Sequence, residues 1–350
     1  MNKKAALFIL LITLLFPELY AAEEKIVVAH RGASGYLPEH TLESKVLAHA
    51  MGADYIEQDV VMTRDNQLVV LHDLTLDRVT DVEQKFPNRS REDGLHYVID
   101  FTLAELRTLI VTESPTASLR FPAGSSHFGI HTLTEEIELI QGLNKTTGRE
   151  AGIYPEIKSP WFHHQEGKDS ASAILDVVKE YGYDSLDDKI FLQTFDFIEL
   201  KRIHDELLPV RNMEIPLVQL IAHNDWGETM AMVGDQWVNY DYSWMHEEAG
   251  MKILAEYASG VGPAMDMIVT NESVSGSLKF TDLVSQAHAA SLEVHPFTFR
   301  RDPGRMPSYA QNFEELLTIF FEEIGVDGVF TDFPDLAVQY LDRHQSDEAD

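Results

Sequence analysis

The chain has 350 residues, enough for one large α/β domain with a sizeable core, and its 27 Lys and Arg against 58 Asp and Glu leave a net charge of −31. Such a field repels nucleic acid and anionic lipid surfaces, so a phosphate-bearing ligand must be drawn in locally, by a bound cation or a few placed basic residues. The absence of cysteine excludes a disulfide framework, a thiolate metal site, a cysteine nucleophile and a lipidated N-terminal Cys.

Residues 1–22 read as a secretory leader: Lys3 and Lys4 are the basic start, Ala5 to Phe16 the apolar run, and Ala21-Ala22 the small residues at the cut. The run is too short for a stable bilayer anchor. The expectation is a soluble, exported, periplasmic protein cleaved after Ala21 or Ala22, with residues 23–350 forming one domain.

Lys25 to Ala29 predicts a short strand ending at His30-Arg31-Gly32, where glycine permits a sharp turn. Thr41 predicts an N-cap, with Leu42, Val46 and Ala50 on one helical face and Gly52 as the stop. Tyr55 to Met62 and Leu68 to Leu71 flank the polar turn Arg64-Asp65-Asn66-Gln67 and read as a hairpin, ending in His72-Asp73. From about 74 to 131 the pattern is irregular apart from the capping box Thr102-Leu103-Ala104-Glu105, and it reads as an insertion. A second capping box, Thr132-Leu133-Thr134-Glu135, opens the next helix. Strands are then expected at Gly152 to Lys158, Lys189 to Phe195, Pro216 to Ile221, Gly262 to Thr270, Leu292 to Arg300 and Gly328 to Thr331. With helical patterns between most of them, about eight β-α units result, which predicts an α/β TIM barrel, (β/α)8, rather than a doubly wound sheet.

Glu57 and Asp59 lie two apart on a strand and project to one face, where two carboxylates repel unless a cation sits between them. Glu156 and Lys158 repeat that pattern at the end of Tyr154-Pro155-Glu156-Ile157-Lys158. Glu57, Asp59 and Glu156 therefore make an all-oxygen site for a hard divalent ion, Ca²⁺ or Mg²⁺. The competing arrangement is a salt-bridged rim neutralised by Arg31 and Lys158, which leaves excess negative charge in a poorly solvated place.

His30 and His72 each close an apolar run, at the barrel face where catalytic groups gather, and two histidines across a reacting phosphate suit base and acid roles. Arg31 offers a fork for phosphate oxygens and Lys158 a compact charge. Gln193 is a polar group at a strand end that orients substrate or a bound water, and Trp244 and Phe299 are candidate walls of the pocket. His163, His164 and His223 read as loop or surface histidines, and neither a Walker-type phosphate loop nor a G-x-S-x-G elbow is present.

Taken together, His30-Arg31-Gly32-Ala33 with Pro38-Glu39 and Thr41, Glu57-Gln58-Asp59, Leu71-His72-Asp73, Tyr154-Pro155-Glu156-Ile157-Lys158 and Phe330-Thr331-Asp332-Phe333-Pro334 resemble the glycerophosphodiester phosphodiesterases, with greatest similarity to the periplasmic bacterial members. The similarity runs from about Lys25 to the C-terminus. It implies a TIM barrel with an insertion after the His72-Asp73 strand and metal-dependent hydrolysis, with Ca²⁺ expected ahead of Mg²⁺, of deacylated phospholipids to sn-glycerol 3-phosphate and an alcohol. The family's metal ligands fall on Glu57, Asp59 and Glu156, its histidine pair on His30 and His72, and its phosphate contacts on Arg31 and Lys158. His40 stands where many relatives carry Asn, outside the expected ligands. The partners implied are small glycerophosphodiesters, without nucleic acid or a membrane span after leader removal, and a homodimer is left open. The alternative function is an exported, non-catalytic adhesin or binding protein on the same barrel.

Overall fold

The computed structural model describes residues 25–113, 120–121 and 127–348; the expected leader, 1–22, lies outside the described residues. Eleven strands are described: β1 (Ile26–Ala29), β2 (Tyr55–Met62), β3 (Leu68–Val70), β4 (Gly152–Ile157), β5 (Leu192–Thr194), β6 (Leu217–Ile221), β7 (Met230–Val233), β8 (Gln236–Asn239), β9 (Gly260–Pro263), β10 (Glu293–Val294) and β11 (Gly328–Thr331). Eight of them run parallel in the order β10-β9-β6-β5-β4-β2-β1-β11, with β3 added antiparallel to β2. The two end strands approach one another: Asp327 N donates to Val294 O at 3.1 Å and Phe299 N to Phe330 O at 2.8 Å. The sheet thus nearly closes into the expected (β/α)8 barrel.

The strands read as apolar runs because both faces of such a sheet are covered. Outward residues of β1 to β6 pack under helices, as Ile56, Ile153 and Leu217 do against Ala48, Ile137 and Ile174. Inward residues Val28, Tyr154, Val218 and Phe330 fill the lower barrel together with Phe191. This plug is a floor, and the next inward residues up each strand stand above it.

The local signals act as their chemistry requires. Thr41 accepts from Ser44 N at 3.2 Å at the head of Leu42–Ala50. Both capping boxes form, at Thr102 and Thr132, so that Glu105 and Glu135 answer the backbone N–H of each cap. The 74–131 excursion carries its own small core, in which Leu76, Val79, Phe101 and Leu106 are buried against Val61 and Val69 of the β2–β3 hairpin.

Two strand expectations are corrected, and one hairpin is added. β9 ends at Pro263 rather than running from 262 to 270, and β10 spans two residues rather than 292–300. Pro263 and Pro296 lack the N–H that a ladder needs, so the chain after β10 follows the barrel wall through single bonds. The β7–β8 hairpin, turning at Gly234 with φ +61°, was not expected, although Gly-Asp between two extended runs is a turn signal.

Candidate active site

The strand register assembles the carboxylates. Asp59 on β2 pairs beside Glu156 on β4, and Glu156 beside Gln193 on β5, while Glu57 projects from β2 on the same face as Asp59. One oxygen from each of Glu57, Asp59 and Glu156 lies within 4.8 Å of the others, and all three side chains are buried. Burial and the neighbouring Asp59 push Glu57 up to about 8, and burial raises Glu156 well above the usual carboxylate range. Burial acts on Asp59 in the same direction, but His40 and Lys158 hold it well below that range. Asp59 Oδ1 and Gln193 Oε1 are buried with no hydrogen-bond partner among the described residues. A crowded set of carboxylates with an unpartnered buried oxygen fits a divalent cation, whose charge would restore the ionised form of Glu57 and Glu156 beside the ionised Asp59.

The two histidines stand beside this cluster. His30 Nδ1 is 2.6 Å from Asp332 Oδ1, and its Nε2 is 4.0 Å from Glu57 Oε2. Burial, then the Arg31 charge, lowers His30 to about 4, whereas Asp332 is held well below its usual value, against its burial, by Arg300 and His30. An ionised Asp332 therefore accepts from a neutral His30, which leaves the Nε2 lone pair free. His72 repeats the arrangement, with Nδ1 2.5 Å from Asp73 Oδ1, and burial followed by Arg31 lowers it too.

Arg31 has φ +57° and is followed by Gly32 at φ +87°. That turn aims the Arg31 N–H at Glu57 Oε2, 2.8 Å away, and brings its guanidinium to Glu39 at 3.1 Å and Asp59 at 3.5 Å. Lys158 Nζ is 2.8 Å from Glu156 Oε1 and 3.8 Å from Glu228 Oε2; burial opposes its charge, but those two acids keep it protonated. Gln193 Nε2 donates to Glu57 Oε1 at 3.1 Å. His30, Arg31, Glu57, Asp59, His72, Glu156, Lys158 and Gln193 all line one cleft of about 580 Å³.

The two aromatics expected to wall this cleft are placed elsewhere. Phe299 is fully buried in the core against Phe320, with ring centroids 4.8 Å apart, and Trp244 packs its ring on Phe197 at 5.0 Å. Both satisfy ordinary hydrophobic burial. The apolar walls are Phe195, Trp226, Phe297 and Tyr309 instead. His163 accepts from Met62 N at 3.1 Å, His164 meets Glu199 and His223 meets Asp266, so these three are structural. His164, Asp169 and Glu199 also gather closely, but Arg202 already neutralises both acids.

Several functional neighbours escaped the sequence reading. Asp332 and Asp73 orient the histidines, and Glu39 holds Arg31 while also receiving Arg78. His40 Nε2 lies 2.7 Å from Asp59 Oδ2, and behind it Lys45 Nζ sits 3.1 Å from His40 Nδ1 and 3.1 Å from Glu136 Oε2. Lys45 also donates to Glu57 O. An ammonium has only donors, so His40 Nδ1 must accept and its Nε2–H must donate to Asp59. That fixes Oδ2 and leaves Oδ1 without a hydrogen-bond partner among the described residues. Asp73 and Asp332 were within the recognised motifs, whereas Lys45 and Glu136 carried no signal beyond a charge on a helix.

Residues 30–336 match the pattern of the Glycerophosphoryl diester phosphodiesterase family. The chain is 51% identical over 329 residues to a glycerophosphodiester phosphodiesterase of Haemophilus influenzae, covering 91% of this chain and 90% of that protein. It is 48% identical to one from Treponema pallidum, over 92% and 93% of the two chains. Among solved structures, a phosphodiesterase of Oleispira antarctica in complex with the product sn-glycerol-3-phosphate superposes with a TM-score of 0.60 at 23% identity, covering 91% of this chain and 96% of that one. A glycerophosphoryl diester phosphodiesterase fold from Silicibacter pomeroyi gives a TM-score of 0.63 at 23% identity, over 92% and 94%.

Proposed function

The chain belongs to the glycerophosphoryl diester phosphodiesterase family of enzymes, and from that premise we propose that it hydrolyses deacylated phospholipids such as glycerophosphocholine and glycerophosphoethanolamine to sn-glycerol 3-phosphate and the free alcohol. The observation that carries this reading is the register of β2, β4 and β5, which sets Glu57, Asp59, Glu156 and Gln193 into one cleft with two aspartate-oriented histidines. A divalent cation, Ca²⁺ in our reading, held by Glu57, Asp59 and Glu156 would supply charge neutralisation to the phosphodiester oxygens.

The remaining work falls to this chain's own groups. Arg31 presents its guanidinium to the phosphate, and Lys158, at the same end of the barrel after β4, adds a fixed positive charge. One histidine, neutral at the outset, accepts the proton of the attacking hydroxyl at Nε2, and the other, which enters the reaction as imidazolium beside the anionic phosphate, delivers its Nε2 proton to the leaving alkoxide. Asp332 and Asp73 keep each ring in the tautomer this needs and stabilise its imidazolium. The aromatic walls Phe195, Phe297 and Trp226 cover the glycerol and keep water from the charged groups. We also propose export, with cleavage near Ala21 or Ala22, on the strength of residues 1–22; N-terminal sequencing of protein recovered from the periplasm checks it.

The test follows glycerol 3-phosphate release from glycerophosphocholine by the metal-loaded protein, after EDTA, and after Ca²⁺ or Mg²⁺ add-back. EDTA should abolish release and Ca²⁺ restore it. His30→Ala and His72→Ala should each retain the fold and lose turnover by roughly 10²–10⁴. No release with any metal, or near-normal turnover in both variants, would overturn the reading.

A further inference from the structure

A second cavity, of about 690 Å³, adjoins the catalytic cleft and shares His30, Arg31, Arg300 and Arg305 with it. Four segments at the C-terminal end of the barrel build it, one of them Asp332 and Phe333 after β11. Arg31 follows β1, Arg78 and Arg120 come from the 74–131 excursion, and Arg300, Arg301 and Arg305 follow β10. Six arginines face four acids, Glu39, Glu113, Asp302 and Asp332. The wall thus gathers guanidinium groups on a chain whose net charge is −31, and Asp59 and Asp73 just behind it take up Arg31 and Arg78 as well.

Most of these guanidinium groups are held in place by acids rather than left to move. Arg78 forks onto Glu39, with Nη1 to Oε2 at 3.0 Å, and also reaches Asp73. Arg120 reaches Asp332 Oδ2 at 2.7 Å and Asp302 Oδ1 at 2.9 Å, and Arg300 shares Asp332 Oδ2 at 2.8 Å. Arg301 differs. Its guanidinium lies over the rings of Phe333 and Tyr36, 4.8 and 5.7 Å from their centroids, with no carboxylate partner among the described residues. Stacking on aromatic faces fixes the plane of the fork while leaving its N–H groups for a ligand.

Resting on the hydrolysis proposed above, we infer that this arginine-lined annex binds an anionic group carried by the alcohol portion of the diester, so that the enzyme favours glycerophosphodiesters bearing a second phosphate. The scissile phosphate sits against His30 and Arg31, which belong to both cavities. One ester branch then occupies the aromatic-walled cleft and the other reaches the annex. A cationic head group such as choline gains nothing there, whereas a second phosphodiester meets the ring-stacked guanidinium of Arg301.

The test compares kcat/KM for bis(glycerophospho)glycerol, which carries a second phosphodiester, with that for glycerophosphocholine, in the metal-loaded protein and in Arg301→Ala and Arg301→Glu. The parent protein should favour the doubly charged substrate. Arg301→Ala should lower the ratio of the two kcat/KM values roughly tenfold, the worth of one charge-assisted hydrogen bond, and Arg301→Glu should lower it further. A ratio that does not favour the doubly charged substrate in the parent, or that is unchanged in the variants, overturns the inference. Calorimetric binding of glycerol 1,3-bisphosphate against glycerol 3-phosphate separates this from failure of the hydrolysis reading. Tighter binding of the bisphosphate that Arg301→Ala removes sustains the annex even without turnover, and equal binding of the two overturns it.

Discussion

Asp59 shows how a single side chain is specified by residues that sequence proximity does not reveal. One of its oxygens is tied by His40, whose tautomer is set by the buried Lys45, which in turn meets the buried Glu136. Desolvation outweighs the pull of Lys45 and pushes Glu136 from 4.5 up to about 7. Because that folded value is raised, the unfolded chain releases the proton first, and the stability Glu136 contributes falls as pH rises from about 4.5 through 7. Glu136→Gln removes the titration, so urea unfolding at pH 5 and pH 8 should show the variant gaining relative to the parent at the higher pH. A penalty that grows with pH would mean that the carboxylate form is the favoured one. Glu57, Asp59 and Glu156 were legible because acids in apolar strands cost too much to be accidental. Their supporting residues were not, since a lysine or glutamate on a helix is ordinarily solvated. Trp244 and Phe299 went the other way: an aromatic near a strand end fits a core as well as a pocket, and only packing decides between them.

At the scale of elements, the turn after β1 is the piece that places chemistry. Arg31 and Gly32 both adopt positive φ, and a Cβ at Gly32 would stand 2.6 Å from Ser44 Oγ. Gly32→Ala is expected to destabilise the fold by about 1–3 kcal/mol through strain and to lower turnover of the protein that remains folded, because His30 and Arg31 flank the turn. Thermal unfolding and single-turnover rates check the two parts, and an alanine variant as stable and active as the parent would contradict them. The strands Tyr55–Met62 and Gly328–Thr331 were legible from pattern alone. The bounds of β9 and β10 were not, because Pro263 and Pro296 interrupt the ladder and the chain keeps its path by isolated bonds. The capping boxes at Thr102 and Thr132 were readable to the residue, since their hydrogen bonds are local.

For the whole molecule, the barrel reconciles a strongly acidic chain with an anionic substrate. The chain carries a charge of −31, while Arg31, Lys158 and the arginines of the annex gather where the excursion and the segment after β10 meet the barrel mouth. The count of β-α units gave the architecture, but the meeting of loops 212 residues apart, as in Arg120 with Asp332, depends on barrel closure and is invisible to local pattern. The central claim is that Glu57, Asp59 and Glu156 hold one divalent cation between them. Isothermal titration of Ca²⁺ into EDTA-stripped protein tests it most directly. One site per chain is expected in the parent and none in Asp59→Asn or Glu156→Gln, both with unchanged circular dichroism; retention of that site in both variants would contradict the account.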